Sequence, residues 1–128
     1  MDIYTGYYAQ MKKYRSIGLI PVSIAYLTPS WYMGETCFEL APSRKLLKGY
    51  KAGEITQEEY AKQYKAFLKT VNWGEVIEKL FQISDKYDGS DLVLCCYEKP
   101  DDFCHRHILA EFLTKQGMEV EECQIVAK

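Results

Sequence analysis

The stretch Leu92 to Leu109, LVLCCYEKPDDFCHRHIL, constrains this chain more than any other. It begins as an apolar run of strand character, Leu92 to Tyr97, and breaks at Pro100-Asp101-Asp102. It resumes as a helix whose first turn carries Cys104, His105, Arg106 and His107. The run is continuously apolar rather than alternating, as in a strand buried on both faces of a parallel sheet. A strand leading through a short loop into a helix places unpaired N–H groups and the positive end of the helix dipole at the carboxyl edge of that sheet. Such an edge is suited to an anion.

Further patterns of the same kind run along the chain. Ile3-Tyr4-Thr5 reads as a first strand ended by Gly6, and Tyr7 to Ile17 as a helix closed by Gly18. Leu19 to Leu27 is a second apolar, β-branched run, with Pro21 near its start. Thr28 to Pro42 is irregular. Ser43 opens a short helix to about Lys51. Thr56-Gln57-Glu58-Glu59 is a capping box, and its helix carries Tyr60, Tyr64, Phe67, Leu68 and Val71 on one face. Asn72 caps a further helix that buries Val76, Ile77, Leu80, Phe81 and Ile83 and ends near Gly89. The helix from about Phe103 to Gln116 precedes a last strand, Glu119 to Val126. Strands alternating with helices predict one α/β domain over residues 1–128, a three-layer fold around a mostly parallel sheet.

Composition narrows the classes of function. A net charge of −2 lacks the basic excess of proteins that grip nucleic acid through phosphates. Lys12, Lys13, Arg15, Arg44, Lys45 and Lys48 are then read as a solvated face, which makes nucleic acid a third-ranked partner. No apolar run approaches the ~20 residues that span a bilayer, so no membrane partner is expected. The five cysteines are odd in number, two are adjacent, and no secretory signal opens the chain. Free thiols in a reducing cytoplasm are the expectation.

Strand parity sorts the reactive residues. Leu92, Leu94, Cys96 and Glu98 share one face; Val93, Cys95 and Tyr97 share the other. Glu98 can enter the same crevice as the helix start, either bracing the loop through Arg106 or contacting a ligand as a general base. Arg106 opposes the helix dipole, a cost that an acidic group or an anionic ligand would offset. His105 and His107 point about 200° apart, and His105 is favoured for the crevice. Cys104 beside His105 and Arg106 is placed for a lowered pKa and is the candidate nucleophile, with core packing as the alternative. Trp31 and Tyr32, in the loop after the second strand, can stack on a planar ligand or plug the loop onto the core. Cys96, Cys104 and His105 or His107 nearly make a zinc set. The spacing Cys-x7-Cys-His matches no standard finger or ribbon, so neither metal nor cofactor is expected.

The segments Leu94-Cys95-Cys96-Tyr97-Glu98-Lys99-Pro100 and Phe103-Cys104-His105-Arg106-His107 resemble a family known as domain of unknown function four-eight-eight, which includes the YeaO-like proteins. Its signature is Leu-Leu-Cys-x-Glu, a short spacer, then Cys-His-Arg. Tyr4-Thr5-Gly6-Tyr7, Ser23-Ile24-Ala25, Pro29-x-Trp31-Tyr32-x-Gly34 and Leu40-Ala41-Pro42 are similar to a subfamily common in phages and gut bacteria. The resemblance implies a small Rossmann-like domain and a site, without a specific activity. Many members carry an arginine after the second strand where this chain has Tyr26. The expected function is binding of a small anionic, nucleotide-like ligand at the carboxyl edge. Glu98 and Cys104 are its catalytic candidates, and Arg106, His105, Trp31, Tyr32 and Cys96 its ligand contacts. A non-enzymatic accessory protein that sequesters a nucleotide or blocks a partner is the alternative.

Overall fold

The computed structural model describes residues 1–97 and 103–124. The strands are β1 (Ile3–Tyr7), β2 (Ile20–Ser23), β3 (Glu35–Thr36), β4 (Leu92–Cys96) and β5 (Val120–Glu122). The helices are α1 (Met11–Ser16), α2 (Arg44–Lys51), α3 (Gln57–Leu68), α4 (Trp73–Lys86) and α5 (His105–Lys115), with short 3-10 turns at Tyr8–Gln10 and Phe38–Leu40. The sheet order is β3-β2-β4-β1-β5, and all four pairings are parallel. The domain is a small Rossmann-like α/β fold. No helix among the described residues is long and apolar enough to cross a membrane.

The three caps read from sequence form as expected. The side chains of Ser43, Thr56 and Asn72 accept from the N–H groups of Leu46, Glu59 and Glu75. Strand ends differ more. β1 continues through Gly6 instead of ending there. Gly6 is needed for close approach: a Cβ at that position would lie 2.4 Å from the Tyr14 hydroxyl oxygen of α1. That hydroxyl accepts from the Tyr7 N–H at 3.1 Å and so holds the end of the strand.

β2 is shorter than its apolar run. Its Ile20 N–H donates to the carbonyl of Asp91, and the N–H of Ile24 just beyond it donates to Cys95. Pro21 therefore turns its nitrogen to the opposite edge. There β3 pairs only from Val22 onward, so no bond is lost. β3 itself was not anticipated. Two residues inside an irregular segment carry no periodic signal.

The two faces are covered unequally. Ile3, Val22, Leu92, Leu94 and Val120 pack against buried residues of α2 to α5, including Leu46, Tyr64, Leu80 and Leu109. On the other face Val93 and Cys95 meet Tyr8, Met11 and Tyr14 of the first 3-10 turn and α1. The strand parity assigned to Leu92, Leu94, Val93 and Cys95 is thus realised, but Cys96, expected with Leu92 and Leu94, packs at the strand end in the cluster of Val93 and Cys95; β4 is buried at every position. The last strand was expected to reach Val126; Ile125 and Val126 lie outside the described residues.

Candidate functional site

Cys96 ends β4, and Cys104 is the N-cap residue of α5 with extended backbone (φ −152°, ψ 146°). The helix therefore begins at His105, two residues later than the start expected at about Phe103, which leaves Cys104 at the cap instead of in the first turn. The sulfurs of Cys96 and Cys104 are joined, with their Cα atoms 7.6 Å apart. This corrects the expectation that all five cysteines are free. Cys37, Cys95 and Cys123 are free. Burial pushes the Cys95 thiol up to about 12 and that of Cys37 up to about 11, which leaves both inert at neutral pH.

His105 is buried beside this pair. Its Nε2 lies 2.8 Å from the carbonyl oxygen of Ile24, just past β2, and its Nδ1 lies 3.8 Å from Cys104 Sγ. A carbonyl only accepts, so Nε2 carries the proton and Nδ1 keeps its lone pair, aimed at the sulfur. Burial lowers the His105 pKa to about 4, which keeps the ring neutral. Tyr64 packs edge-on against it at 5.5 Å. His107 is half-buried on the same helix.

Arg106 follows His105 in sequence but turns toward β1 and β5. It is fully buried. Nε and Nη2 donate to the two carboxylate oxygens of Glu122 at 3.1 and 2.9 Å, and Nη1 donates to Cys96 Sγ at 3.0 Å. Thr5 donates to the same carboxylate at 2.7 Å, and the Tyr7 ring lies 5.9 Å from the guanidinium. The acidic group that offsets the helix dipole is thus Glu122, which strand reading alone could not pair with a helix start. Glu98, the other candidate, lies outside the described residues.

A cavity of about 490 Å³ opens on the β2 side of Cys96. Cys96, Cys104 and His105 line it, together with Tyr26, Tyr50, Tyr60, Tyr97, Phe103 and Lys51. Phe103 packs against Tyr50 and Tyr60 at centroid distances of 5.2 and 5.3 Å. Its size and largely apolar wall suit a small organic ligand. Arg106 does not line it, because its guanidinium is committed to Glu122.

Trp31 and Tyr32 do not line it either. The Tyr32 hydroxyl donates to the carbonyl of Glu35, and both rings stand edge-on to Tyr8, at 5.4 and 6.3 Å for Tyr32 and Trp31. Their loop folds back toward the α1 face. Of the two readings, plugging the loop onto the core is the one the contacts support. The aromatic wall comes instead from Tyr26, Tyr50, Tyr60, Tyr97 and Phe103, of which Tyr60 was read as packing. Tyr60 in particular shares a helical stripe with Tyr64 and Leu68, and periodicity cannot separate a cavity wall from core.

Fold and site together define a Rossmann-like α/β domain in which a cysteine pair and a histidine line an aromatic-walled cavity. The chain belongs to the DUF488-N3a family, described as the active DUF488-N3 subclade, whose profile matches residues 23–117. That span runs from the last residue of β2 into the turn after α5 and includes every cavity residue named above. No curated protein and no solved structure matches the chain.

Proposed function

We propose that the domain binds a small, nucleotide-like anionic ligand in the cavity at the carboxyl edge and acts on it as a hydrolase or transferase. The observation that carries this reading is the combination in one cavity of an aromatic wall, a lysine, and a cysteine–histidine floor. Tyr26, Tyr50 and Tyr97 offer faces and edges to a planar base. Lys51 supplies the positive charge for a phosphate or carboxylate. This differs from the expected role of Arg106, and it fits an aromatic residue standing at Tyr26, where the resembling sequences carry arginine. In the reduced protein, Cys104 is the nucleophile, and the neutral His105 ring holds its Nδ1 lone pair toward the sulfur. The description of the subclade as active supports chemistry over binding alone.

Sequestration without turnover is the second reading. Joining Cys96 to Cys104 removes the free nucleophile and leaves the cavity walls in place. Either role suits the cytoplasm, where the free thiols of Cys37, Cys95 and Cys123 persist.

Thermal unfolding against a panel of nucleotides and nucleosides tests the binding. Saturation at 100 times Kd adds about 2.7 kcal/mol, and Tyr26→Ala with Lys51→Ala should abolish the shift. A panel that leaves the melting temperature unmoved removes the nucleotide reading. Product analysis under reducing conditions separates the two roles. Turnover lost in Cys104→Ser but kept in Cys96→Ser assigns the nucleophile, and turnover surviving both Cys104→Ser and Glu98→Gln eliminates both catalytic candidates.

A further inference from the structure

We infer that Cys96, Cys104 and His105 form a binding site for a divalent ion of the zinc class, with a coordination position facing the cavity. The inference does not rest on the nucleotide reading. Cys96 Sγ, Cys104 Sγ and a His105 ring nitrogen all lie within 4.8 Å of one another, and all three residues are buried. Two thiolates and an imidazole are a donor set that zinc favours over calcium or magnesium.

Three features point to an ion. The first is the imidazole. Fixing Nε2–H on the Ile24 carbonyl leaves Nδ1 as a lone pair directed at the sulfurs, the backbone-held orientation that metal-ligating histidines show.

The second is the backbone span. The Cα atoms of Cys96 and Cys104 are 7.6 Å apart, whereas directly bonded cysteines usually span about 4.4–6.8 Å. Two thiolates on one zinc, each about 2.3 Å from it at a tetrahedral angle, hold their sulfurs about 3.8 Å apart. A wider span suits that bridge.

The third is charge. Two thiolates balance a divalent ion, and the neutral ring adds nothing. The Arg106 N–H···S bond to Cys96 at 3.0 Å stabilises thiolate charge, while Glu122 compensates the guanidinium itself.

Three protein donors among the described residues leave one tetrahedral position. All three residues line the cavity, so water or a ligand oxygen can take it. The joined sulfurs are the oxidised counterpart of this site. A phosphine reductant opens the bond with one water. The phosphine takes the oxygen as its oxide, and the two hydrogens end on the two sulfurs. Metal binding then releases both thiol protons to solvent.

The test is cobalt(II) titration of the phosphine-reduced full chain without oxygen, followed by zinc. The expected result is a saturable thiolate-to-cobalt charge-transfer band with tetrahedral visible bands at one ion per chain, bleached by zinc. Cys96→Ser, Cys104→Ser and His105→Gln should each weaken binding at least 10-fold, and Cys123→Ser should leave it unchanged. No band at stoichiometric cobalt overturns the inference, as does a band kept in Cys104→Ser. If the variants fail to fold, alkylation of the wild-type chain decides: zinc must slow modification of Cys96 and Cys104, and equal rates with and without zinc overturn the site. Metal binding without any nucleotide shift leaves this inference standing and removes only the nucleotide reading.

Discussion

On the β1–β5 side of Cys96 the carboxyl edge of the sheet is closed. Arg106, Glu122, Thr5 and Tyr7 fill it, and the guanidinium has no exposure. On the β2 side the same edge is open, with a cavity of about 490 Å³ walled by aromatic rings. His105 and Arg106 are neighbours in sequence, yet one serves the open side and the other the closed side. Successive helix residues point about 100° apart, so a single turn at the start of α5 can supply both. The closed side holds most of the charge and the open side most of the reactivity. A cation that looks like a ligand contact in sequence can therefore be a bracket that holds the reactive residues in place.

Breaking the closed side should cost the most stability. Arg106→Gln leaves Glu122 partly buried without its bidentate partner, and a loss of about 3 kcal/mol is expected in urea unfolding. Arg106→Gln with Glu122→Gln should recover part of that loss; full additivity of the two would show that the pair is not coupled. Next comes Gly6→Ala, whose Cβ meets the Tyr14 ring and should cost about 1–3 kcal/mol by the same measurement. Lys51→Ala on the open side should change stability by no more than about 0.5 kcal/mol while removing the ligand-induced shift. The smallest effect is expected from Trp31→Ala. This residue is 59% exposed and edge-on to Tyr8, so a loss of under about 0.5 kcal/mol and unchanged ligand binding are expected. A ligand shift abolished in Trp31→Ala but kept in Lys51→Ala would move the site to the other loop.

The parts legible in sequence were those with period or chemistry. The caps at Ser43, Thr56 and Asn72, the apolar β4 and the alternation of strands with helices each carry a local signal. The neighbourhood of Cys96, Cys104 and His105 was also legible, because a strand, a short loop and a helix start converge by topology. The Arg106–Glu122 pair was not, since it joins residues 16 apart on elements whose relative placement depends on the sheet order. Tyr50 and Tyr60 were hidden for another reason: an aromatic residue on a helical stripe reads the same whether it meets core or an empty cavity. Trp31 and Tyr32 read as ligand contacts because loops after strands are where ligands bind in such folds, whereas here both rings stand edge-on to Tyr8.

The sheet order also bears on how the chain acquires its structure in time. β4 lies between β1 and β2, and both pair with it in register: Ile3 with Leu92, and Ile20 with Leu92. Neither of the first two strands has the other as a neighbour. During synthesis β1 must wait until β4 has emerged, and until then β2 has only the two residues of β3 as a partner. Closing loops of this length before any strand contact is gained makes the search slow relative to a helical bundle of the same size. The first strands are then exposed to other chains for that whole interval. Refolding by dilution should accordingly be slower than for helical proteins and should lose yield as chain concentration rises.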